Sequence, residues 1–154
     1  MKESNWMQAI KFMEQALSKS KYNPTFNLAM GECKMRLKYF DDAAHHFKLV
    51  LKYKPKMIAG WEALIKCLYE DKAYTEAEST IDFAESKLGE KPIFQFYRSA
   101  ILFARGKSKE ALLQLEDAAV AAPKLLKKFT DFNPFIMQNQ AVVDLLLRIK
   151  RNRS

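Results

Sequence analysis

IAGWEALIKCLYEDKAYTEAESTIDFAESKLGEK, residues 58–91, decides the fold, because its spacing of small and apolar residues is met again 34 residues earlier and 34 residues later. Gly31, Ala43, Phe47 and Pro55 are answered by Ile65, Ala77, Ile81 and Gly89, then by Ser99, Ala111, Leu115 and Pro123. Cys33 and Cys67 keep the same register, as do Phe40, Tyr74 and Ser108 at the turn inside each unit. A period of that size belongs to a stacked array of helix pairs, in which each pair buries its apolar face only against its neighbours.

Working outward, the units run over residues 24–57, 58–91 and 92–124, with a half-unit at 1–23 before them. Trp6, Ala9, Met13 and Ala16 take the places of Phe40, Ala43, Phe47 and Val50, so residues 1–23 read as a second helix whose first helix is absent. The chain then reads as the C-terminal piece of a longer array, or as one lacking its N-terminal cap. One elongated domain over 1–154 is expected, closed by capping helices over 125–154.

Over residues 4 to 123 the recurring positions resemble the tetratricopeptide repeat. In the middle unit Trp61, Leu64, Tyr74, Ala77, Ile81 and Ala84 stand where that family places an aromatic, a leucine, an aromatic, an alanine, a large apolar residue and an alanine. Two positions depart from the pattern. Ile65 replaces the small residue at the closest helix crossing, and Arg98 replaces an apolar one, which suggests locally shifted packing. The resemblance implies an all-α, right-handed superhelical solenoid of 34-residue helix-turn-helix repeats, with a concave face lined by the first helix of each pair.

The pattern also has a direct physical reading. Gly31, Ala43, Ala77, Ser99 and Ala111 let antiparallel helices approach, while Phe47, Ile81 and Leu115 fill the space between pairs. Asp41 and Thr75 are placed to cap second helices, Thr75 with Glu78 as a capping box. Pro55, Gly89 and Pro123 end those helices. After Pro123 the repeat stops. A short helix over 124–131 leads to Asn133–Pro134, which reads as the start of a capping helix carrying Phe135, Ile136, Val142, Leu145, Leu146 and Ile149 on one stripe. This ending is similar to the C-termini of some bacterial members of the family.

Composition agrees with a helical array: 49% hydrophobic residues, four glycines, and no stretch with strand alternation. No run reaches the roughly 18 apolar residues that cross a bilayer. Cys33 and Cys67, one interhelical spacing of roughly 8–10 Å apart, are too distant for a disulfide and read as buried free thiols. Free thiols favour a reducing compartment, the cytoplasm.

The residue types of catalysis are not assembled. His45 and His46 are adjacent, point about 100° apart on a helix, and lack a third ligand, so they read as surface histidines with no metal. Four scattered glycines leave no phosphate loop. Asp41 with Asp42, Glu76 with Glu78, and Glu116 with Asp117 read as solvated faces. No cofactor and no enzymatic role are expected.

Function is therefore read from the concave face. Its candidate partner-binding positions are Leu28, Glu32, Met35, Glu62, Lys66, Tyr69, Phe96 and Phe103, polar in the middle and aromatic towards the end. Exposed aromatics there suit a peptide or protein segment; the other reading of Phe96 and Phe103 is that the C-terminal helix folds back onto them. Family members that clamp the carboxylate of chaperone tails use lysine, asparagine and arginine at set places. Leu28, Glu32, Ala63, Ile93 and Tyr97 stand there and cannot do so. The formal charge of +8 suits nucleic acid or an acidic partner as the alternative. Part of it gathers in the tail, at Arg148, Lys150, Arg151 and Arg153, and the 35-residue period of modular RNA readers is missing. Finally, Trp6, Ile10, Met13 and Leu17 form an apolar stripe with only one neighbouring repeat to cover it, an expected route to self-association.

Overall fold

The computed structural model describes residues 2–153, and among these all regular structure is helical. The helices are α1 (Glu3–Lys19), α2 (Pro24–Arg36), α3 (Phe40–Tyr53), α4 (Ile58–Glu70), α5 (Tyr74–Leu88), α6 (Pro92–Ala104), α7 (Ser108–Ala121), α8 (Leu126–Phe132) and α9 (Gln140–Asn152). First helices begin at 24, 58 and 92 and second helices at 40, 74 and 108, so the period of 34 seen in the sequence is the period of the helices. The described residues divide into two compact units, one up to Thr80 and the other from Ile81 onwards.

The turn inside each pair is built the same way three times. Lys38, Lys72 and Gly106, spaced 34 apart, have φ of 64°, 61° and 77°. The left-handed residue folds the chain back so that the next N–H, of Tyr39, Ala73 and Lys107, donates to the carbonyl of Lys34, Leu68 and Leu102 at 2.9 Å. The turn closes itself through the backbone, which corrects the cap expected of Asp41. α3 begins at Phe40 with no side-chain cap, and Asp41 lies inside its first turn. Thr75 is likewise inside α5, which begins at Tyr74. Acidic side chains there still complement the helix dipole.

In the first unit the small residue at the crossing is required. A Cβ on Gly31 would lie 2.4 Å from the fully buried Phe47 ring. Ile10 of α1 packs with Met30 and Cys33, and Trp6, Ala9, Met13, Leu17 and Leu37 close around them. Of the stripe expected to leave some area to solvent, Ile10 is buried against α2, whereas Trp6, Met13 and Leu17 are only partly buried. Among the large apolar side chains of α1, Met7 and Phe12 are the exposed ones, and both lie off that stripe. Asn23 caps α2 by accepting from the Phe26 N–H at 3.0 Å, with Pro24 as its first residue. The buried Asn27 amide donates to the carbonyls of Lys21 (2.9 Å) and Asn23 (3.0 Å).

In the second unit the Ser99 hydroxyl, fully buried, donates to the Ala111 carbonyl at 2.9 Å and ties α6 to α7. Arg98, the departure from the repeat pattern, leaves the apolar layer and pairs with Asp82 (2.9 Å) and Glu85. Burial alone would lower the Arg98 pKa, but the hydrogen bonds to the two carboxylates outweigh it and raise it. The capping region also differs from expectation. Asn133–Pro134 opens only a 3₁₀ turn, Pro134–Gln138, and Asn133 makes no side-chain cap. The true cap is Asn139, which accepts from the N–H groups of Ala141 (3.0 Å) and Val142 (3.4 Å) at the head of α9. Ile136, Val142, Leu145 and Ile149 are buried as the stripe implies, whereas Phe135 is exposed.

Candidate functional site

Three of the candidate positions meet in one cleft of the first unit. Glu32 and Met35 of α2 and Lys66 of α4 line a space of about 280 Å³ together with Trp6 of α1, Ala29, Cys33, Arg36 and Ala63. The lining is itself periodic: Ala63 is the equivalent of Ala29, and Lys66 of Glu32, one repeat on. Short alanine side chains open the space, the Trp6 ring closes one side of it, and Glu32, Arg36 and Lys66 place charges around it. Among the described residues, neither Arg36 nor Lys66 lies within ion-pair distance of a carboxylate, in contrast to Lys34, which reaches Asp42 at 3.6 Å. Met35 is almost fully buried and serves as floor rather than rim.

The remaining positions are placed differently. Leu28 and Glu62 are half-buried on α2 and α4 but outside the cleft lining. Tyr69 packs on Tyr74 with ring centroids 5.8 Å apart, and burial, followed by Tyr74, pushes its phenol up to about 12. In the second unit Phe96 is fully buried, stacked on Phe129 of α8 at 5.5 Å, and its neighbour Tyr97 meets Phe132 at 4.8 Å. Ile93 and Ala100 are buried on the same side, and Phe103 is half-buried. Phe96 is therefore not an exposed groove residue. The segment after the repeats covers it, because two aromatic faces in water gain more by meeting each other than by staying wet. α8, not the long capping helix, does the covering. The sequence missed Trp6, Ala29 and Arg36 as lining; the recurrence of alanine at 29 and 63 was the available signal.

His46 is not a plain surface histidine. Its Nδ1 donates to the Asn27 Oδ1 at 2.9 Å, and its pKa is lowered to about 4, first by burial, then by Lys34 and His45 against an opposing Asp42. Cys33 and Cys67 are free and buried. The Cys67 thiol donates to the Phe40 carbonyl at 3.4 Å and is pushed up to about 12 by burial and then by Asp71 and Glu70, which removes it as a nucleophile. Among the described residues no group of three His, Cys, Asp or Glu is placed to hold a metal, and no helix is long and apolar enough to cross a membrane.

No protein-family model matches the sequence, and no curated protein does. Solved structures do match. The chain is similar to one described as "MamA RS-1 ArsTM double mutant", a protein containing tetratricopeptide repeats, with a TM-score of 0.67 over 98% of this chain and 88% of that one. This fold is a tetratricopeptide-like helical repeat. At 13% identity the likeness is one of backbone, and it agrees with consecutive helix pairs and with turns repeated every 34 residues. The cleft over Ala29 and Ala63 lies on the first helices α2 and α4.

Proposed function

We propose that this chain is a protein-protein interaction scaffold that takes a peptide or protein segment in the cleft of α1, α2 and α4, without catalysis and without a cofactor. The observation that carries the reading is the joining of an apolar floor, Met35 and Cys33, to the Trp6 ring and to Arg36 and Lys66, cations without an ion pair among the described residues, in one concavity. Such a site binds an extended segment by burying one apolar side chain and pairing charges at the rim. A carboxylate-clamp specificity is not part of the proposal, since Leu28 and Glu32 occupy two of the places it needs. Of the basic tail, the alternative seat of binding, Arg148 pairs with Glu116 at 3.0 Å.

The test is selection of peptides from a random display library against the whole chain, followed by titration of the selected peptides into variants. Lys66→Ala and Arg36→Ala are expected to weaken binding at least about 10-fold each while leaving helix content unchanged. Selected peptides that bind Trp6→Ala, Arg36→Ala and Lys66→Ala as tightly as the parent overturn the assignment of the cleft.

A further inference from the structure

A second surface of the first unit has a chemistry that the cleft does not use. The two segments where successive repeats join there, KSKY at 19–22 and KYKPK at 52–56, each a helix end with the loop after it, carry five lysines and no acidic residue. The loops meet through Tyr22 and Tyr53, whose ring centroids lie 4.6 Å apart with a tilt of 38°. Both rings remain open to solvent, Tyr22 at 48% and Tyr53 at 43% of full exposure. Lys21 and Lys52 hold their ammonium groups 5.5 and 5.6 Å from the centroids of the adjoining rings. Among the described residues none of the five lysines is within ion-pair distance of a carboxylate. Elsewhere in the same unit Lys34 and Lys48 do find Asp42 and Glu76.

Both loops are also held in place from beneath. Asn27, 1% exposed, donates to the carbonyls of Lys21 and Asn23. On the other side the Trp61 indole N–H donates to the Pro55 carbonyl at 2.8 Å. Buried donors thus fix the backbone of two exposed, like-charged loops against their mutual repulsion. Fixing it in advance lowers the ordering cost of any ligand that neutralises the lysines.

We infer that this platform binds single-stranded nucleic acid, one or two bases stacking on the Tyr22–Tyr53 pair while Lys21, Lys52, Lys54 and Lys56 meet the flanking phosphates. Stacking on exposed rings beside unpaired cations is how single strands are held without sequence readout. A membrane surface fits less well, because neither loop projects an aliphatic or tryptophan side chain that would insert below the headgroups. An acidic peptide would use the lysines but leave the ring pair idle.

The experiment is fluorescence anisotropy with a labelled 15-nucleotide thymidine oligomer and the whole chain, over a salt series. Binding at low salt is expected, with a slope of roughly −3 in log affinity against log salt, from about four phosphates neutralised on a single strand. Tyr22→Ala with Tyr53→Ala should weaken binding about 10-fold or more and leave the salt slope in place. Lys21→Glu with Lys54→Glu should lower both affinity and slope. Absence of binding at low salt overturns the proposal. So does a double tyrosine variant that binds like the parent, since that marks a general polyanion surface. Equal or tighter binding of an anionic phospholipid vesicle or a polyglutamate peptide, lost with the same tyrosines, overturns it in favour of those ligands.

Discussion

At His46 a single hydrogen bond couples the fold to pH. Asn27 has spent both amide hydrogens on the Lys21 and Asn23 carbonyls, so its oxygen can only accept, and the His46 Nδ1–H supplies the donor. The folded-state pKa is lowered to about 4, while an unfolded histidine titrates near 6.5. Between those values the unfolded chain binds the extra proton. The stability tied to His46 is therefore complete above about pH 6.5 and is lost as the pH falls towards 4, by about 1–2 kcal/mol after allowing for its partial exposure. Urea unfolding at pH 7 and pH 4.5 checks this: His46→Asn, which keeps a donor without a charge, is expected to show a smaller loss on acidification than the parent. The left-handed turn residues make a second prediction. An added Cβ at Gly106 meets nothing within 4 Å, so Gly106→Ala isolates the backbone cost and should destabilise by about 1 kcal/mol. Lys72→Gly, at the equivalent turn with φ 61°, should raise the thermal midpoint or leave it unchanged. Lysine at 38 and 72 gave no glycine signal, so these turns could not be read from the chain.

Among the elements, α8 changes the role of the helix it covers. α6 carries Phe96 at a position that would be open in a bare array, and seven residues, Leu126–Phe132, close over it through Phe129. Phe96→Ala is accordingly expected to cost about 3–5 kcal/mol, whereas Phe135→Ala, at an exposed ring, should be near neutral in the same chemical denaturation series. A small effect of Phe96→Ala would show that α8 is not seated. The helix starts carry a similar lesson. Asn23, Asn133 and Asn139 all look like caps, and Asn23 and Asn139 act as such. Asn–Pro at 133–134 satisfies the local rule for a helix start. The turn that follows stays 3₁₀ and the helix waits for Asn139, a choice made by where Ile136 and Val142 can be buried.

At the scale of the whole molecule, a helical repeat makes stability a matter of neighbours, because a pair in such an array buries its apolar face only against adjacent pairs. Both thiols lie in the first unit, buried beneath such contacts, and report on its opening. Thiol labelling of the native chain should be slow at both Cys33 and Cys67 and become fast for both in denaturant, with burial holding each pKa up. Fast labelling of Cys67 without denaturant would mean that the α3–α4 contact opens readily. The net charge of +8 is likewise a property of the whole, yet its distribution is local: Arg98 and Arg148 are tied to carboxylates, and the loops around Tyr22 and Tyr53 are not.

By itself the sequence determined the repeat: its period of 34, the all-helical class, the first and second helices, their Pro and Gly endings and the buried free thiols. These are legible because they rest on spacing along one chain, where each helix needs an apolar stripe and each crossing a small residue. Tertiary structure alone decided which faces stay open. It set Ile10 of the Trp6–Leu17 stripe against Met30 and Cys33, hid Phe96 under α8, gave Arg98 its carboxylates and gathered Glu32, Met35 and Lys66 into one cleft with Trp6. Burial depends on which distant segment arrives at a surface, and the repeat pattern constrains only the segments that belong to it.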